Sequence, residues 1–153
     1  MTKLLALVLL VAVALTGCGD SALQTHARIA TSLHTVNTTG VEVMEVACRE
    51  RALSVASDES LTHAEATAAA EAVVVRCERA AGAQHLFADG LDTYVDQLVL
   101  EVSGDGEPGF KDRAFSLAFN LIGMWTDFVA LMASFDVALP ALPSLLTSLA
   151  PPR

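Results

Sequence analysis

Apolar positions recur at helical spacing through most of this chain. Ile29, Leu33, Val36, Gly40, Val43 and Ala47 follow one another in alternating four- and three-residue steps, with Val41, Met44 and Cys48 beside them. That is the spacing of one buried helical face. It predicts a first helix from Ala22 to Ala56, with Asp20 or Ser21 able to cap it. Asn37-Thr38-Thr39-Gly40 is poor in helix formers and predicts a kink or a loosened turn near its middle.

Ser57-Asp58-Glu59-Ser60 breaks the pattern, and Thr62 with Glu65 then reads as a capping box opening a second helix. Ala66, Ala69, Val73, Cys77, Ala80, Phe87, Leu91, Tyr94, Leu98 and Val102 trace its inner face, interrupted by Gln84. Gly82 and Gly90 are candidate bends. The run Gly104-Asp105-Gly106-Glu107-Pro108-Gly109 ends the helix.

A third helix is expected from Lys111 or Asp112 to Val137. One of its stripes is Leu117, Leu121, Met124, Phe128, Leu131 and Phe135; a second is Phe115, Phe119, Ile122, Trp125, Val129 and Met132. The remaining stripe, from Ser116 through Asn120, Gly123, Asp127 and Ala130 to Ser134, is small or polar. Such a helix is central in a bundle, lies against a partner or enters a membrane. Pro140 and Pro143 stop it, and Leu142, Leu145, Leu146 and Leu149 make the tail an apolar strap that folds back or docks elsewhere. The expected fold class is all-α: an elongated three-helix bundle of two long antiparallel helices and a hydrophobic third, occupying residues 22–137, followed by a Pro/Leu-rich tail at 138–153.

The first residues follow a different pattern. Lys3 precedes an unbroken apolar run from Leu4 to Leu15. At roughly 1.5 Å per residue that is about 18 Å of helix, short of the ~20 residues a membrane span needs. A basic start, an apolar stretch and small residues at its end describe a secretory signal peptide. It closes in Leu15-Thr16-Gly17-Cys18, which resembles the lipobox of bacterial lipoproteins. The resemblance covers residues 1–18. It implies removal of residues 1–17, a diacylglyceryl thioether on Cys18 and an N-acyl chain on its new amino group, with residues 18–21 as the lipidated tether. Two or three acyl chains anchor stably where one does not. The site implied is thus the periplasmic face of the bacterial cell envelope. Gly19, not Asp, follows the cysteine, which in Gram-negative lipoproteins leans toward the outer membrane over the inner.

Composition narrows the partners. The formal net charge is -9. Nucleic acid is not expected as a partner, because binding it takes a basic stripe. Once Cys18 is assigned to lipid, Cys48 and Cys77 remain as an even pair in an oxidising compartment, where disulfides persist. Their register is awkward. With helix ends at Ala56 and His63, Cys48 lies eight residues before the turn and Cys77 fourteen after it. The difference is about 9 Å along a helix axis, so a bridge requires the second helix to start later, bend or slide along the first.

No constellation for chemistry stands out. His26, His34, His63 and His85 lack the H-E-x-x-H arrangement and read as solvated or capping residues, not metal ligands. Asp89, Asp92, Asp96 and Glu101 read as a solvated helix face. No G-x-S-x-G elbow is present. The expectation is a protein that is not an enzyme and holds no metal or cofactor beyond the lipid on Cys18. Its expected role is a structural or interaction module with an envelope protein as partner, able to self-associate through residues 112–149.

Two alternatives stay open. One is a carrier of small apolar ligands or lipid. The other starts from prophages, where small acidic helical lipoproteins also occur: a spanin-like lysis protein would cross the inner membrane with residues 114–135. Asp127 and the basic residues Lys111 and Arg113 before that segment count against the last.

Overall fold

The computed structural model describes residues 21–106, 108–139 and 142. The chain forms three helices packed against each other: α1, Ser21–Ala56; α2, His63–Ser103; and α3, Phe110–Ala133. The expected signal peptide (residues 1–17), Cys18 and most of the tail lie outside the described residues.

The helix ends follow from local chemistry. Thr62 and Glu65 make the capping box reciprocally: the Thr62 amide donates to Glu65 Oε2 at 2.9 Å and the Glu65 amide donates to Thr62 Oγ1 at 3.4 Å. The Thr62 hydroxyl, which donates to Glu65 Oε2 at 2.6 Å, and the Thr62 amide hold the Glu65 carboxyl below its ordinary range. At the other end Gly104 takes a left-handed conformation, φ 79°. The Gly104 amide donates to Glu101 and the Asp105 amide to Leu100, the paired bonds of a Schellman stop. Gly109, φ 84°, turns the chain into α3. That helix is shorter at its C-terminus than the sequence predicts. It ends at Ala133, and a turn through Ser134 and Phe135 leads to Asp136 at φ 60°, a conformation that Asp tolerates and a helix cannot use.

Neither predicted irregularity interrupts its helix. α1 runs unbroken through Asn37–Gly40, where Thr35, Thr38 and Thr39 return their hydroxyls to carbonyls four residues earlier. α2 likewise passes through Gly82 and Gly90. Gly40 and Gly90 instead mark close approaches to α3. A methyl group on Gly40 would stand 3.0 Å from both Trp125 and Phe128, and one on Gly90 would stand 3.0 Å from Leu121.

The core is a set of single stripes. α1 contributes Ile29, Leu33, Val36, Met44 and Ala47; α2 contributes Ala80, Phe87, Leu91, Tyr94 and Leu98. α3 contributes Phe110, Ala114, Ala118, Leu121, Trp125, Phe128 and Met132. This corrects the stripe reading of α3. Ala114 and Ala118 are buried, while Phe115 and Phe119 remain 39% and 49% exposed. The small residues let α3 approach α2 closely. α1 and α3 are held further apart, and the rings of Trp125, Phe128 and Phe87 fill the space between them (ring centroids 5.2 and 5.4 Å from Trp125). Beyond α3, Val137, Leu139 and Leu142 pack back onto the core.

Because the rings beside Gly40 are fully enclosed, they cannot yield to a larger side chain. Gly40→Val is expected to destabilise the fold by about 1–3 kcal/mol through overpacking. Gly82, with open space around its Cα, should respond oppositely: Gly82→Ala gains up to about 1 kcal/mol of helix propensity. Urea unfolding of the two variants beside the wild type measures both.

Candidate functional site

α1 and α2 extend past α3 at one end as a two-helix hairpin. No residue of α1 from 48 to 56 is buried, and in α2 from 63 to 79 only Val73 is. Leu53, Val74 and Val75 are 62%, 55% and 46% exposed there. Four arginines, Arg49, Arg51, Arg76 and Arg79, lie on the same arm among glutamates. This arm has little core of its own to hold it together.

At its base the fold brings Cys48 and Cys77 to disulfide distance, with Cα atoms 5.9 Å apart. Both helix ends stand where the sequence puts them, so a later start of α2 is not what closes the offset. The first turns of α2 rise beyond the end of α1, where Ala66 and Ala69 are half-buried and their neighbours exposed. Residues 57–62 carry the climb, folded locally by the Ser60 amide and hydroxyl on Asp58, bonds that hold the Asp58 carboxyl below its ordinary range.

The opposite end of the bundle carries a buried polar pair that sequence reading misses. His26 is enclosed, which corrects its assignment as solvated or capping; His34, His63 and His85 are exposed. Its Nδ1 lies 2.7 Å from the Tyr94 hydroxyl, and its ring meets Tyr94 and Phe110 edge-on. Burial lowers the His26 pKa and raises that of Tyr94. The neutral imidazole and phenol therefore satisfy each other across α1 and α2. A second such link joins Gln84, buried where the apolar stripe is interrupted, to Asn37: the Gln84 amide donates to Asn37 Oδ1 at 3.1 Å. One weak signal was available in the sequence, since Gln84 and His26 both fall in step with the apolar stripes of their helices.

Between α2 and α3 a cleft lined by Thr93, Gln97, Asp112, Arg113, Ser116 and Leu117 lies open to solvent. A second depression along α1 is lined by Val43, Val46, Ala47 and Val137 between Glu42 and Glu50. Among the described residues no group of three His, Cys, Asp or Glu side chains could hold a metal ion.

Mass spectrometry under non-reducing conditions is expected to find Cys48 joined to Cys77 in exported protein. Reduction should lower stability by about 3.5 kcal/mol in the chain-entropy picture; two free thiols would refute the bridge.

For His26 the folded ring binds a proton less readily than the unfolded one. Stability is thus expected to be flat above the ordinary histidine pKa and to fall as pH drops below about 6.5. The slope is at most about 1.4 kcal/mol per pH unit until the folded value is reached. Unfolding of wild type and His26→Gln between about pH 7 and pH 5 isolates this contribution, which the variant should lack.

Comparison with protein-family models, with curated proteins and with solved structures finds no match to this chain.

Proposed function

We propose that this protein is a lipid-anchored module of the bacterial cell envelope that presents the α1–α2 hairpin to another envelope protein. The observation that supports it is the opposition of the two ends. α1 opens at Ser21, three residues after Cys18, and its other end leads into the hairpin. The 36 residues of α1 correspond to about 54 Å at the helical rise. An acyl anchor on Cys18 would therefore hold one end of the bundle at the membrane and set the hairpin at the other end, displaced along the bundle from the anchor. The exposed Leu53, Val74 and Val75 supply apolar contact at that far end, and a Cys48–Cys77 bridge would keep the arm paired where α3 no longer covers it.

One observation favours a second reading. Asp112–Ala133 is long and apolar enough to cross a membrane, as a spanin-like protein would require. Against it, that helix supplies Trp125, Phe128 and Met132 to the core. A carrier of apolar ligands finds less support, because the space between α1 and α3 is filled by aromatic rings.

Fatty-acid labelling in cells is expected to mark the wild type, and Cys18→Ser should abolish the mark. A photo-crosslinking residue in place of Leu53 is then expected to give a discrete adduct with an envelope protein. Labelling that survives Cys18→Ser would remove the anchor, and absence of an adduct would remove the hairpin's role.

A further inference from the structure

We infer that the outward face of α3, centred on Phe115 and Phe119, rests against the lipid surface to which Cys18 anchors the chain. This rests on the anchor proposed above. Phe115, Phe119, Ile122, Thr126, Val129 and Ala133 recur in four- and three-residue steps along one side of α3 and include no charge. Phe115, Phe119, Thr126 and Ala133 are exposed, Ile122 and Val129 half-buried. Asp112 stands at the rim one turn earlier, and Asp127 lies on the far flank.

Three considerations select lipid as the occupant. First, the tether is short. Only Gly19 and Asp20 separate Cys18 from Ser21 at the start of α1, three Cα steps and a reach of at most about 11 Å even when extended, so the bundle cannot stand clear of the headgroups. Second, Phe115 and Phe119 occupy the half of α3 nearest the anchor. Phe110, one turn before Phe115, meets His26 with ring centroids 6.0 Å apart, and His26 follows Ser21 by five residues. Third, charge orients the molecule. The exposed carboxylates Glu71, Glu78, Asp89 and Asp96 share one outward face of α2, which anionic lipid repels. The uncharged face of α3 carries no such penalty, and Phe on the apolar face of a surface helix buries into the boundary between headgroups and acyl chains.

The test uses the full acylated protein in dilute vesicles of phosphatidylethanolamine and phosphatidylglycerol brominated near the headgroup end of their chains. The single native tryptophan, Trp125, is 2% exposed and serves as the shielded reference. Phe119→Trp and, separately, Phe115→Trp should add emission that the brominated lipid removes. Leu86→Trp, at a position 63% exposed on α2, should add emission that survives. Equal quenching of Leu86→Trp, or no quenching of either α3 variant in protein whose mass shows acylated Cys18, overturns the inference. Crosslinking between copies at these positions in place of quenching would assign the face to a second copy and overturn it likewise. If the mass shows no acyl group, the anchor itself is refuted; quenching that persists would keep the face, and its loss would end both.

Discussion

The bundle depends on the fit of Trp125 and Phe128 against Gly40. α1 and α3 are the pair with the fewest close backbone approaches, and these rings close the distance. The indole is buried with Nε1 unpartnered, a cost of about 1–3 kcal/mol for an unsatisfied donor. Removing a buried large aromatic costs about 3–5 kcal/mol, so enclosing the ring prevails over stranding its N–H. Any side chain at position 40 would displace the rings, which is why a glycine is kept in mid-helix despite its propensity cost.

The other seams are built from smaller parts. Ala27, Ala30 and Ala47 on α1, Ala80 on α2, and Ala114 and Ala118 on α3 are buried. Alanine permits close approach but removes little apolar area from water, and stabilisation scales with that area. The consequence is greatest in the hairpin arm, where Val73 is the one buried side chain. Two helices with so small a shared core separate readily, and a covalent link between Cys48 and Cys77, which stand at disulfide distance, would act at the boundary where α3 stops. The two polar links, His26 to Tyr94 and Gln84 to Asn37, serve a different end. Each is sound in one register only, so they fix how α1 lies along α2 where sliding alanines would not.

The helices were legible because their ends carry their own chemistry. Thr62 with Glu65 and Gly104 act within a few residues, and the structure keeps them. What local pattern could not decide was which apolar stripe of α3 would be buried. Both candidate stripes are large and apolar, and the choice is made by the neighbours. α2 accepts a close helix, so Ala114 and Ala118 go inside and Phe115 and Phe119 stay out. The same limit hid His26, because a histidine in step with Ile29 and Leu33 is polar by type and buried only if a partner such as Tyr94 waits opposite. For the cysteines the local pattern gave the pair but left open how the offset would be absorbed: antiparallel helices need not end level, and six connecting residues can climb a helical offset. Cys18, by contrast, is legible in sequence alone and lies outside the described residues.

The apolarity of α3 therefore has two separable parts. One side is accounted for by the core, where Trp125, Phe128 and Met132 are wholly enclosed. A helix that crossed a bilayer would have to withdraw those side chains from α1 and α2 and carry exposed Asp127 into hydrocarbon, at about 3 kcal/mol for a charge near the centre. The other side, Phe115 to Ala133, touches the core through Ile122 and Val129 and leaves Phe115 and Phe119 outside it. A contact along that side asks nothing of the bundle: no helix unpacks, no carboxylate is desolvated, and the acidic face of α2 stays in water. Between inserting α3 and laying it against a surface, the second keeps every enclosed ring in place and still covers the exposed ones.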